Sequence, residues 1–98
     1  MPTKKYSSTG QVCRVTFRLP AEVNAEEVAL CGVFNEWDAE ANPLKKLKDG
    51  DFSTTISLEP GNSYRYRYLI DGERWENDWD AEAYAPNEFG AEDSVVTV

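Results

Sequence analysis

The sequence predicts an all-β fold, an antiparallel β-sandwich of about seven strands, and three observations carry that prediction. Short runs in which apolar and polar residues alternate recur along the chain. Turn pairs such as Asp49-Gly50, Pro60-Gly61 and Asp71-Gly72 separate the runs at spacings of about eight to twelve residues. No segment keeps a helical period, so the crossover helix that parallel strands need is missing. At 98 residues the chain reads as one domain, able to bury roughly two-thirds of its unfolded surface. Two facing sheets use its one-sided strands more simply than a closed barrel does.

Met1 to Gly10 is rich in Ser, Thr and Lys and predicts a flexible N-terminal tail, leaving 11–98 as the single domain. The first strand places Cys13, Val15, Phe17 and Leu19 on one face and Arg14, Thr16 and Arg18 on the other, and Pro20 stops it. Ala21 to Glu27 is a polar connection. In the second strand Val28, Leu30 and Gly32 alternate with Ala29, Cys31 and Val33, and two apolar faces predict a central position. A hairpin centred near Val23 and Asn24 sets Cys13 and Cys31 on opposite faces, so both are read as reduced packing residues.

The second strand runs into Phe34-Asn35-Glu36-Trp37, a polar turn that ends in a tryptophan. Asp38 to Asn42 forms a loop closed by Pro43, and Leu44 to Lys48 is a short edge segment guarded by Lys45, Lys46 and Lys48. Asp49-Gly50 signals a hairpin into a strand with Phe52, Thr54, Ile56 and Leu58 on one face. After the Pro60-Gly61 turn, Tyr64, Tyr66, Tyr68 and Ile70 share one face, with Arg65, Arg67 and Leu69 on the other. Asp71-Gly72 turns this strand back, and Trp75 follows. Asn77 to Glu92 reads as a long acidic connection anchored by Trp79, Tyr84, Pro86 and Phe89, and Ser94 to Val98 as a last strand.

Composition excludes more chemistry than it suggests. Ten basic and eighteen acidic residues leave a net charge of −8, which repels phosphate backbones and anionic headgroups, so neither nucleic acid nor membrane is an expected partner. No apolar run follows Lys4 and Lys5, so no signal peptide or membrane span is read and a cytoplasmic location is expected. Without histidine, the Ser-His-Asp and Cys-His arrangements cannot be assembled, and two isolated cysteines make no zinc site. The six glycines stand singly, so no phosphate-cradling loop exists. Carboxylate pairs such as Asp71 with Glu73, or Asp78 with Asp80, arise readily in an acidic chain, and Asp78, Asp80 and Glu82 lack the twelve-residue calcium loop. The expectation is a non-catalytic domain without metal or cofactor.

The aromatic residues remain. Trp37 and Trp75 each follow a turn, which lets an indole lie flat at the surface, where it suits the apolar C–H face of a pyranose ring. Arg67, on the outer face of the strand leading to Trp75, is placed to bond sugar hydroxyls. Gly32-Val33-Phe34-Asn35-Glu36-Trp37, Pro43-Leu44, Asp49-Gly50-Asp51-Phe52, Pro60-Gly61, Tyr66-Arg67-Tyr68-Leu69-Ile70-Asp71-Gly72 and Phe89-Gly90 before a Val-rich strand resemble, in order and spacing, the family 48 carbohydrate-binding modules. These include the N-terminal domains of isoamylases and glycogen branching enzymes and the glycogen-binding domain of the AMP-activated kinase β subunit. The resemblance spans Val12 to Val98.

It implies an immunoglobulin-like, early-set sandwich that binds α-1,4-glucan, as polysaccharide of the glycogen or starch type or as oligosaccharide. It also implies roles. Trp37 and Trp75 match the sugar-stacking tryptophans, Arg67 a basic residue that bonds hydroxyls, Asn35 the same turn motif, Phe89 an apolar loop residue against the ligand, and Asp93 an asparagine that contacts it. The alternative, from a different class, is a protein-interaction module whose aromatic face docks a partner such as a glucan-metabolising enzyme.

Overall fold

A computed structural model describes residues 2–98. Among the described residues nine strands form two antiparallel sheets, as an immunoglobulin-like β-sandwich requires. They are β1 (Thr3–Tyr6), β2 (Cys13–Leu19), β3 (Val28–Gly32), β4 (Lys45–Lys46), β5 (Phe52–Leu58), β6 (Ser63–Ile70), β7 (Arg74–Glu76), β8 (Ala83–Pro86) and β9 (Glu92–Thr97). The first sheet has the order β1-β2-β5-β4, and the second β3-β6-β9-β8 with β7 also on β6. Two 3-10 turns, Ala21–Val23 and Val33–Asn35, interrupt the β structure among the described residues.

The alternating runs fold as their pattern dictates. Cys13, Val15, Phe17 and Leu19 of β2 point inward and are buried, opposite Tyr66, Tyr68 and Ile70 of β6 and Val96 of β9. Each large apolar side chain removed from water contributes about 1.5–3 kcal/mol, so this interleaved layer is the main source of stability. Phe17 meets Tyr66 edge-on at 4.9 Å between ring centroids. The Tyr66 hydroxyl donates to Asp78 Oδ2 at 2.6 Å, and burial, with that carboxylate adding, pushes its pKa far above the ordinary range. At the Asp49-Gly50 hairpin Arg18 bonds both Asp49 (2.7 Å) and Asp51 (2.8 Å), fixing the β4–β5 connection to β2.

Four expectations are corrected. Thr3–Tyr6, read as tail, is an edge strand paired with β2, and Lys4 bonds Glu82 of the second sheet's connection; Met1 lies outside the described residues. The Ser- and Lys-rich composition hid a strand whose pairing comes entirely from its partner. β2 and β3 do not form a hairpin, because the connection between them crosses from one sheet to the other; Cys13 and Cys31 are buried and unbridged in different sheets. β3 is not central: β6 is its one strand partner, and Asn42 to Leu44 covers its other edge through Leu30 N–H to Asn42 O (2.9 Å) and Leu44 N–H to Val28 O (2.8 Å). Those bonds pair an edge that would otherwise be open. Finally, the long acidic connection contains β8, which pairs with β9 from Ala83↔Val95 to Pro86↔Glu92.

Candidate functional site

The outward face of the second sheet is unlike that of the first. In antiparallel register, partnered residues project to the same side. Cys31 pairs with Arg67, Leu69 with Trp75, and Arg65 with Val95, so this face carries both arginines and one tryptophan. With the loops that rise beside it, the face forms a cleft of about 870 Å³, lined among others by Trp37, Arg67, Trp75 and Phe89.

Trp75 is set by sheet register. The β6–β7 hairpin turns through Asp71 (φ 52°) and Gly72 (φ 70°), a left-handed pair that Asp and Gly both tolerate. The Asp71 carboxylate accepts the Glu27 and Glu26 amides at 2.8 and 2.9 Å, which ties the hairpin end to the entrance of β3. These amides, Glu27 first, hold the Asp71 carboxyl below the ordinary aspartate value of 3.8. Trp75 is 44% exposed, and the Arg67 guanidinium lies over its ring at 5.2 Å from the centroid. This cation–π contact steadies an indole that remains partly open to solvent.

Trp37 is set by backbone conformation instead. β3 stops at Gly32, the chain tightens into the 3-10 turn Val33–Asn35, and Glu36 and Trp37 then take φ of 57° and 59°. Two consecutive left-handed non-glycine residues cost about 1–3 kcal/mol each, so the surroundings must hold them. The Trp37 amide donates to Gly32 O at 2.9 Å. The Asn35 side chain accepts from Gly32 N–H (3.0 Å) and donates to Leu30 O (2.9 Å) and Asn42 Oδ1 (2.8 Å). Gly32 is required for a different reason: a Cβ there would sit 2.6 Å from Arg65 O and 2.7 Å from the Phe34 ring.

Phe89, 82% exposed, tops the loop after β8. Asn87 shapes that loop, its Oδ1 accepting the Phe89 and Ala91 amides at 3.0 and 3.1 Å. Beneath it lies Asp93, whose carboxylate approaches Arg65 Nη1 at 3.3 Å and Arg67 Nε at 3.4 Å and accepts Asn87 Nδ2 at 3.1 Å. Cys31, buried on the same side as Arg67, has its thiol pKa pushed up by burial and secondarily by Asp38.

Of the six residues expected from sequence, Trp37, Trp75, Arg67, Phe89 and Asp93 line one cleft, while Asn35 does not. Asn35 is committed to three bonds within the turn and positions Trp37. Asp93 lines the cleft, but its oxygens are engaged by the protein. Val33, Arg65, Pro86, Asn87, Glu88 and Ala91 also line the cleft and are not among the six. Arg65 had a signal, since it shares the outer face of β6 with Arg67; Asn87 had a weaker one in the turn-forming spacing of Asn87 and Gly90.

A family model described as the glycogen recognition site of AMP-activated protein kinase matches residues 14–98. The chain belongs to that family. A stretch of 47 residues is 38% identical to the 1,4-alpha-glucan branching enzyme GlgB of Halothermothrix orenii, covering 48% of this chain and 8% of that enzyme. The chain thus spans a small fraction of this relative. In this glycogen-recognition module the family match begins at Arg14 in β2, so β1 stands outside it. Flat indoles, an apolar loop tip and fixed guanidinium donors on one face suit recognition of a polyhydroxylated, largely uncharged ligand.

Proposed function

We propose that the module binds α-1,4-glucan along the cleft of the second sheet, without acting on it chemically. The observation that carries this reading is that Trp37 and Trp75, brought from turns far apart in sequence, line the same cleft with Arg67 stacked on one of them. Each indole covers the C–H face of one glucose unit, Arg67 donates to hydroxyls between them, and Phe89 packs against the chain from the loop. A ligand with repeated sugar faces fits this arrangement better than a single sugar would. A net charge of −8 is nearly irrelevant to such a neutral polymer.

One shallow cleft binds weakly, and a polymer presenting many sites supplies avidity. An enzyme that builds or trims glucan is the partner class this predicts, the module holding substrate near it. The test is affinity electrophoresis in native gels with and without glycogen. The protein is expected to be retarded by glycogen, and Trp37→Ala and Trp75→Ala to run freely while keeping their folded circular dichroism. Free migration of the folded wild type at high glycogen would reject glucan binding and leave the aromatic face for a protein partner.

A further inference from the structure

We propose that Asp93 is the positioning residue of the cleft, its buried carboxylate locking the Arg67–Trp75 stack to the Phe89 loop so that both meet the ligand as one preformed surface. This rests on the glucan reading above. Asp93 is 6% exposed, and its two oxygens are divided between strand and loop. Oδ2 takes Arg65 Nη1 at 3.3 Å, while Oδ1 faces Arg67 Nε at 3.4 Å and accepts Asn87 Nδ2 at 3.1 Å. Asn87 in turn holds the amides of Phe89 and Ala91. One carboxylate therefore connects β6, β9 and the loop tip.

The chemistry explains why a charge stands there. Arg65 and Arg67 project from the same face of one strand, two residues apart, and repel each other unless an anion lies between them. Arg67 Nε is buried and has no well-formed hydrogen bond, so the ion pair with Asp93 is what satisfies that end of the guanidinium. The other end is then free to lie over Trp75. In exchange, a buried carboxylate that would be costly alone is compensated by two guanidiniums and bonded by an amide. An amide side chain at this position serves well for bonding a sugar but cannot neutralise the arginine pair.

The discriminating variant is Asp93→Asn, which keeps the shape and removes the charge. Titration with maltoheptaose, alongside thermal unfolding, is expected to give a dissociation constant raised about tenfold in Asp93→Asn, and little further change when the same substitution is made in Arg67→Met. Direct contact between Asp93 and sugar predicts the reverse, because the amide keeps or improves binding, or the two losses add. A merely structural role predicts a lowered melting temperature with the dissociation constant unchanged; either result overturns the proposal. If the wild type itself ignores maltoheptaose, the glucan reading fails, and the proposal is judged without ligand by NMR. Asp93→Asn is then expected to shift the Arg67 Nε–H signal and speed hydrogen exchange at Phe89 and Ala91, whereas unchanged signals at both would refute the coupling.

Discussion

The turn that carries Trp37 stores conformational cost in its backbone, whereas the hairpin that carries Trp75 is relaxed and relies on side-chain contacts. Glu36 and Trp37 are held left-handed by the Asn35 clamp and by the Trp37 amide bonded to Gly32 O. At Asp71 and Gly72 the same backbone region is occupied by residues that accept it, and the indole is steadied by Arg67. Two routes to one cleft teach that a presented ring needs fixing from its surroundings, by the hydrogen bonds that hold a strained turn around Trp37 and by a stacked guanidinium on Trp75.

The comparison breaks most severely at Gly32. Gly32→Ala forces a Cβ into backbone and ring atoms at 2.6 and 2.7 Å, so denaturant unfolding is expected to show a loss of about 2–3 kcal/mol together with loss of Trp37 presentation. Nothing comparable is available in the second hairpin, where Gly72→Ala meets no atom within 4 Å and costs only the left-handed strain. Asn35→Ala comes next: it leaves Gly32 N–H, Leu30 O and Asn42 Oδ1 without their partner, with an expected loss of about 1–3 kcal/mol. The same variant is expected to weaken oligosaccharide binding as much as Trp37→Ala does, although Asn35 does not line the cleft.

On the other side, Asp71 makes the Trp75 hairpin acid-sensitive. Its carboxyl is held below 3.8 in the fold by the Glu27 and Glu26 amides, so this contribution is fully present above the unfolded value and is lost as pH falls through the lowered one. Hydrogen-exchange protection of the Glu26 and Glu27 amides, taken relative to their intrinsic rates, is expected to fall as the solution is acidified below the ordinary aspartate range, and Asp71→Asn to flatten that dependence. The smallest effect is expected from Glu36→Gly, which relieves one strained residue. Thermal unfolding should show a gain no larger than about 1 kcal/mol, while Asp71→Gly, losing its two amide bonds, shows none.

How far the sequence disclosed these features follows the same division. Strands with a one-sided apolar pattern, β2, β5 and β6, were legible because burial of one face writes a period of two. β1 and β8 were not, since Thr3–Tyr6 and Ala83–Pro86 are held by their neighbours' hydrogen bonds and carry little pattern of their own. The apolar character of both faces of β3 suggested a central strand, whereas β3 ends its sheet and a loop pairs its outer edge. In the cleft, aromatics placed at turns and loops marked Trp37, Trp75 and Phe89, of which Trp37 is half-buried. The supporting polar residues were harder, because Asn35 and Asp93 are recognisable as positioning groups only once their partners, far away in sequence, are in place.

The most direct test of the central claim uses the third tryptophan. Trp79 does not line the cleft and bonds Glu76 through its Nε1 at 3.0 Å, so Trp79→Phe leaves Trp37 and Trp75 as the only indoles. Fluorescence of this variant titrated with maltoheptaose is expected to change saturably, and the change to be reduced when either remaining tryptophan is also replaced. Emission that stays constant throughout the titration, with the variant folded, would contradict glucan stacking on the two rings.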